Sequence, residues 1–481
     1  MPLDQPRLWL QLFEASAASG QGRRDQLCTA LRRAIRAGTL GVGERLPASR
    51  VLARDLALSR VTVEAAYAQL AVEGYLHRQV GQGSFVAIDL RTPAPVHVPA
   101  GPAAISRRGQ RMLATGGCME PLLPRAFAAG SPDLRAFPSE VWRRLLNRRL
   151  RTEGEQLMRY GDPQGRADLR QAIADYLVQS RGVRCTVEQV LVLTSSQQAL
   201  QQLALLLLDE GDPVWMEEPG YSGARTAFAA TGARIVNLPV DADGARPDAA
   251  LAAPRLVYLT PAHQFPTGQA LGLARRRALL DMARLCGAWI IEDDYDSEFE
   301  YEGRAAPSLQ GLDEAGRVIY LGTFSKTLFP SLRLAYAVLP PALVQPLVIA
   351  RSIGDGHSSQ LMQAVTADFI TQGHFAAHLR LMRQLYRSRR DILLGALTRH
   401  LPWAQPLPST GGLQLCVQLP VGSEKRLTRL AAAVGVETPS LSALYQGQEK
   451  VDGWRLGFAA LQPEQIELGV VALTRLDPDR A

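Results

Sequence analysis

Lysine is nearly absent from this chain: of 53 basic residues only Lys326, Lys425 and Lys450 are lysines. That scarcity makes Lys326 the residue to explain, since an ε-amine forms a Schiff base with a carbonyl only when it is unprotonated. Cysteine is scarce too. Cys28, Cys118, Cys185, Cys286 and Cys416 are odd in number, widely spaced and without a CxxC pair, which argues against a disulfide framework or a zinc finger and fits a reducing cytosol. Long apolar runs are missing as well. Leu203 to Leu208 is too short to span a bilayer, and Met1-Pro2-Leu3-Asp4-Gln5-Pro6 lacks a basic stretch followed by an apolar one. Neither export nor membrane insertion is expected, and the cytoplasm is the expected compartment.

What is present suits a folded, water-facing protein. The 481 residues are 47% apolar and 21% charged, enough for two or three domains with a large interior, and the net charge of +7 admits an anionic partner. From Arg24 to Ile35, Leu27, Leu31, Ala34 and Ile35 recur at helical spacing before Gly38. A second helix starts at Ser49, and a third runs from Ser59 through Tyr67 and Leu70 towards Gly74. Tyr75 to Val86 alternates loosely around Gly81 and Gly83 and reads as a hairpin. Three helices and a wing form winged helix-turn-helix order over residues 1–88.

In such a motif the second helix enters the major groove, and its first side chains reach bases while flanking cations hold phosphates. Those positions carry Ser59, Arg60 and Thr62, with Arg50 at the preceding helix start and the wing glycines at the minor groove. The plain alternative is a helical cap with solvated arginines. Glu44-Arg45-Leu46-Pro47-Ala48-Ser49-Arg50, Leu58 to Val63, Glu73-Gly74-Tyr75-Leu76 and Gly81 to Val86 resemble the GntR-type winged-helix regulators over roughly residues 22 to 87. The resemblance implies that Arg50, Ser59, Arg60, Thr62 and Gly81 meet DNA. Glu64 stands where relatives are often basic, and a carboxylate would repel phosphates, so it is left out of the expected contacts.

Pro93, Pro95, Pro99 and Pro102 then lie among small residues, and residues 89–125 read as an interdomain linker of extended backbone. Residues 126–481 alternate short apolar runs with helical patterns. Val190 to Leu193, Pro213 to Met216, Leu256 to Thr260, Trp289 to Glu292 and Val318 to Leu321 read as buried strands of a largely parallel α/β sheet.

Lys326 lies in Gly322-Thr323-Phe324-Ser325-Lys326-Thr327-Leu328-Phe329-Pro330-Ser331-Leu332-Arg333, where the hydroxyls of Thr323 and Ser325 and the Arg333 guanidinium suit a phosphate. An amine beside anion-binding groups points to pyridoxal phosphate. Its pyridine nitrogen needs a buried carboxylate to stay protonated, and Asp293 at a strand end is the candidate, with Tyr295 two residues on for the ring hydroxyl. Ser195, Ser196 and Gln197, where a strand becomes a helix, suit the phosphate, and Tyr221 offers a face to stack on the ring. Each signal has a bland reading: a solvated lysine, an acidic loop, an ordinary helix cap, a packing tyrosine.

Their order, with Tyr160-Gly161-Asp162-Pro163-Gln164-Gly165, Glu217 to Tyr221, His263 to Gly268, Glu292 to Phe299 and Phe324-Ser325-Lys326, resembles fold-type I aminotransferases over about residues 126 to 470. Behind a GntR-like head this is similar to the MocR-type architecture. The resemblance implies Lys326 as the Schiff-base lysine, Asp293 on the pyridine nitrogen, Tyr295 on the ring oxygen, and Ser325 and Arg333 at the phosphate. It also implies that Tyr160 reaches the phosphate of a neighbouring subunit, hence a homodimer, and that Arg455 in Gly453-Trp454-Arg455-Leu456-Gly457-Phe458 grips an effector carboxylate. Two positions depart. Phe265 stands where aminotransferases usually have asparagine, and Ser195 where many have glycine.

The expectation is therefore a regulator that binds operator DNA and senses pyridoxal phosphate, an amino compound, or both, by exchange at Lys326. At most a residual aminotransferase half-reaction is expected. The alternative is a genuine pyridoxal phosphate-dependent aminotransferase with an accessory N-terminal interaction domain.

Overall fold

The computed structural model describes residues 5–17, 20–79, 81–87, 105–117, 126–248, 250–303, 306–447 and 449–476. It forms two compact units, residues 1–104 and 105–481. The first holds α1 (Gln5–Glu14), α2 (Arg23–Arg36), α3 (Ser49–Asp55) and α4 (Arg60–Val72), then a hairpin of β1 (Leu76–Gln79) and β2 (Gly83–Val86). Leu27, Leu31, Ala34 and Ile35 of α2 are all buried, and they pack with Val63, Tyr67 and Leu70 of α4. Full burial of one such large side chain stabilises by about 1.5–3 kcal/mol. Ser59 caps α4, its Oγ accepting the Thr62 N–H at 3.1 Å, and Gly74 at φ +80° stops it with a backbone that disfavours a Cβ.

The sequence reading did not include α1. It completes the small core with Trp9 and Phe13, and Leu8, Trp9, Leu12 and Phe13 carry the helical spacing that marks it. Val80, inside the expected hairpin, lies outside the described residues.

The expected extended linker needs correction in its second half. Residues 88–104 and 118–125 lie outside the described residues, but Arg107–Ala114 is helical. The prolines end at Pro102, Ser106 then caps the helix by accepting the Gly109 N–H at 3.1 Å, and Arg111 ties it to Glu210.

In the second unit the strands are β3 (Val190–Leu193), β4 (Pro213–Glu218), β5 (Arg234–Asp241), β6 (Gly244–Ala245), β7 (Leu256–Leu259), β8 (Trp289–Asp294), β9 (Val318–Thr323) and β10 (Ala335–Val338). They form one sheet in the order β3-β10-β9-β8-β7-β4-β5-β6, all running one way except β10 and the short β6. Alternate side chains leave on opposite faces, so Val190 and Val192 join one core and Leu191 and Leu193 another. Both faces are covered, which is why the strands read as continuous apolar runs. A small antiparallel sheet of β11 (Gln405–Pro406), β12 (Gln414–Gln418) and β13 (Gly453–Gly457) follows.

Candidate cofactor site and DNA-reading face

Loops leaving β3, β4, β8 and β9 converge on a cavity of about 390 Å³. At the end of β9 the Thr323 Oγ1 accepts the Ser325 N–H at 3.1 Å and starts the one-turn helix Phe324–Thr327. That turn brings Lys326 to the cavity, where Nζ donates to the Gly130 carbonyl at 2.8 Å. The Gly130 segment passes β13 closely enough that a Cβ on Gly457 would lie 2.1 Å from the Ala128 carbonyl oxygen.

Neighbouring carboxylates at the end of β8 face opposite ways, as strand geometry requires. Asp294 turns into the core, its Oδ2 accepting Arg181 Nε at 2.8 Å and the Tyr320 hydroxyl at 2.6 Å. Burial works against its charge, but Arg181 and these hydrogen bonds hold it below the usual carboxylate range. Asp293 turns to the cavity. Its Oδ2 accepts the Tyr258 hydroxyl at 2.7 Å, while its buried Oδ1 has no hydrogen-bond partner. Burial raises the Asp293 pKa to about 6, and the Tyr258 hydrogen bond offsets only part of that. A protonated ring nitrogen supplies both the missing donor and the missing positive charge.

The anion-binding groups line the same cavity. Ser195 caps the helix Ser196–Leu207, its Oγ accepting the Gln198 N–H at 3.1 Å, and Ser196 and Gln197 open that helix, whose N-terminal amides favour an anion. The Gln197 side chain is already used, donating to the Gly223 carbonyl at 2.8 Å. Ser325 and Arg333 line the same cavity, Arg333 in the left-handed conformation at φ +53°, which a non-glycine residue adopts at a cost. Tyr221 and Tyr295 line the wall, and burial pushes the Tyr295 phenol well above its usual range. Arg455, mid-strand in β13 and paired across the ladder with Cys416, lines the cavity with its guanidinium over the Phe265 ring. Tyr160 alone among the expected cofactor contacts does not line the cavity. It is 98% exposed, with its ring edge-on to His357 at 6.0 Å.

Residues to which the sequence reading gave no role in the site complete it: Tyr258, Thr260, Asp296 and the Gly130 carbonyl. Asp296 accepts from His263 Nδ1 at 2.8 Å, and His263 Nε2 faces Glu300 at 3.3 Å. Burial opposes a charged imidazole, yet Asp296 and Glu300 outweigh it and raise the His263 pKa to about 10. An Asp-x-x-x-Glu pattern in a chain of few histidines was the only available signal.

On the winged helix, Arg50 and Arg60 are exposed. The Ser59 and Thr62 hydroxyls hydrogen-bond each other at 2.8 Å while capping α4, and Gly81 sits at φ +79° with open space around it. Glu64 is paired with Arg78 of β1 at 2.6 Å, and hydrogen bonds from Ser49 and Arg78 hold its carboxyl below the usual range. Among the described residues no helix is long and apolar enough to cross a membrane, and no residue cluster suits a metal ion.

Comparison with known proteins matches residues 23–86 to the bacterial regulatory proteins of the gntR family and residues 126–473 to aminotransferase class I and II. The probable rhizopine catabolism regulatory protein MocR of Rhizobium meliloti is 42% identical over 93% of this chain and 92% of its own length. The chain belongs to the MocR-type gntR regulators. A second member of these regulators, the HTH-type transcriptional regulator TauR of Rhodobacter capsulatus, is 31% identical over 95% of this chain and 97% of its own. Beyond the MocR-type proteins, the crystal structure of LysN, the α-aminoadipate aminotransferase of Thermus thermophilus complexed with N-(5'-phosphopyridoxyl)-L-leucine, superposes with a TM-score of 0.68. It is 33% identical and covers 77% of this chain and 94% of that one. Pyridoxal phosphate is the cofactor that this MocR-type domain implies, and the unpaired Asp293 oxygen fits it.

Proposed function

We propose that this gntR-type regulator binds operator DNA through α4 and senses pyridoxal phosphate, an amino compound, or both, at Lys326, in the cytoplasm and as a homodimer. The observation that carries the reading is the pairing of Lys326 with the half-satisfied Asp293 in one cavity, on the same chain as a winged helix. When bound, pyridoxal phosphate supplies an aldehyde that condenses with amines and a ring that withdraws electrons.

The chain's own residues then have distinct tasks. Asp293 keeps a proton on the ring nitrogen, with Tyr258 fixing the carboxylate. Tyr295 donates to the ring oxygen, and Tyr221 stacks. Ser195, Ser196, Gln197, Thr323, Ser325 and Arg333 hold the phosphate, and Tyr160 of a second copy adds to them, which accounts for its exposure in a single chain. Arg455 takes the effector's carboxylate. Lys326 would hold the cofactor's aldehyde only by giving up its hydrogen bond to the Gly130 carbonyl, so that contact would differ between a lysine engaged with the cofactor and a free one, giving the domain two states for effectors to bias. On the winged helix, Arg50 and Arg60 reach phosphate or base edges from exposed positions, with Ser59, Thr62 and Gly81 beside them.

The rival reading, a working aminotransferase with an accessory head, draws on the likeness to LysN. Phe265 weakens it, because an apolar ring cannot donate a hydrogen bond to the ring oxygen as asparagine does. The test is retention of operator DNA at fixed salt, with and without pyridoxal phosphate and amines, for the wild type and Lys326→Ala. The expected result is a wild-type response that the variant lacks. Equal responses, or steady keto-acid production from an amino donor without DNA retention, would overturn the proposal.

A further inference from the structure

Phe265 is held more firmly than a wall residue needs to be. Its N–H donates to Thr260 Oγ1 at 2.8 Å, and its carbonyl accepts from Gln264 Nε2 at 2.6 Å. Both partners are themselves anchored: the Thr260 hydroxyl donates to buried Glu217 at 2.6 Å, and Gln264 Nε2 also donates to the Pro219 carbonyl at 2.7 Å. The ring meets Tyr221 edge-on at 5.5 Å and Tyr295 at 6.0 Å. Upon its face, 5.4 Å from the centroid, lies the guanidinium carbon of Arg455.

An arginine has many rotamers, and whatever freedom remains before a ligand arrives is lost on binding. A fixed aromatic face removes that freedom beforehand, because its negative π-cloud attracts the cation. Stacking uses the face of the guanidinium, whereas a forked carboxylate contact uses its N–H edge, so the two are compatible.

Resting on the reading of Arg455 as the effector's anchor, we infer that Phe265 is a positioning residue that holds the Arg455 guanidinium for a carboxylate. The ring that replaces the asparagine of aminotransferases thereby sets a preference for amines bearing an anionic end. Selectivity is gained at the position where a hydrogen bond to the cofactor is given up.

The experiment uses the full-length protein loaded with pyridoxal phosphate, its visible absorption titrated with alanine, with β-alanine and with propylamine, which lacks a carboxylate. The wild type should favour at least one of the acids over propylamine. With each variant first saturated with cofactor, Phe265→Leu should raise the half-saturating concentration of that acid by about three- to thirty-fold more than that of propylamine, the range of a cation–π contact. Phe265→Tyr, which keeps the π-face, should behave as wild type, and Phe265→Met is a second apolar variant read in the same way as Phe265→Leu. Equal shifts for acid and propylamine, no shift at all, or a tyrosine variant as impaired as the leucine one would overturn the inference. A wild type indifferent to the carboxylate, with Arg455→Gln equally indifferent, would instead overturn the anchor reading beneath it.

Discussion

Tyr258 donates its hydroxyl to Asp293, a residue that lines the cavity, at 2.7 Å and leaves the other carboxylate oxygen of Asp293 buried and unpartnered. With the Asp293 pKa raised to about 6, chiefly by burial, the carboxylate is ionised above that pH and protonated below it. Pyridoxal phosphate binding should therefore weaken as pH falls below about 6. Asp293→Asn should weaken it at pH 7.5 by roughly 10- to 100-fold, the worth of a charge-assisted hydrogen bond of about 1.5–3 kcal/mol. It should also remove this component of the pH dependence, which separates it from titration of the phosphate.

Tyr258→Phe should act in the same direction more weakly. Its hydrogen bond is the largest influence lowering the Asp293 pKa against burial, ahead of the Lys326 charge, so without it the carboxyl protonates at higher pH. Cofactor titration across pH 5.5 to 8 should show the fall in affinity beginning at a higher pH than in the wild type. An unmoved profile would mean that the phenol only packs.

Much of this site was legible because its residues break the local pattern. Lys326 stood out in an arginine background, and Asp293 closed an apolar strand. Tyr258 did not stand out, because an aromatic in a buried four-residue strand reads as core until the register sets it beside β8. Phe265 was visible as a departure, yet its contact with Arg455 joins segments 190 residues apart and leaves no local trace. In the sheet, Pro213 to Met216 and the runs at Val190, Leu256, Trp289 and Val318 carried a strong apolar signal, whereas Arg234–Asp241, mostly half-buried and interrupted by Asn237, did not and was missed. Ala335–Val338 has two alanines among its four residues and so a weak strand signal, and only pairing on both edges, with β3 and β9, makes it a strand. The helix after Ser106 was hidden by the proline-rich composition before it.

His263 sits between Asp296 and Glu300 in the interior, and removing it strands buried carboxylate charge. His263→Ala should cost about 3–5 kcal/mol in a denaturant titration of the C-terminal transition. The histidine pKa is raised from its ordinary 6.5 to about 10 against the pull of burial, so its stabilisation is complete below 6.5 and is lost as pH rises towards 10. The stability gap between wild type and variant should narrow from pH 7 to pH 10. A gap independent of pH would indicate an uncharged packing role.

Arg60 is exposed at the first turn of α4, beside the cap formed by Ser59 and Thr62. Arg60→Ala should weaken operator binding by about 1–3 kcal/mol if it forks onto a base, relaxing the preference at one position. A uniform loss on every sequence, with a salt dependence shallower by about one unit, would assign it to a phosphate instead. Unaltered retention would remove α4 as the recognition helix.

Glu64 and Arg78 neutralise one another across α4 and β1 at 2.6 Å. Near DNA that pair withholds one cation from the phosphates and adds a carboxylate that repels them. Glu64→Gln keeps the shape and the hydrogen-bonding reach but removes the negative charge, leaving Arg78 able to meet a phosphate. Binding to unrelated duplex DNA should then tighten, and the slope of log affinity against log salt should steepen by about 0.9. The discrimination between operator and unrelated DNA should shrink, because the gain is independent of sequence. Weaker operator binding would reverse this assignment: Glu64 would then be holding Arg78 in place for the operator, or accepting a hydrogen bond from a cytosine amine itself.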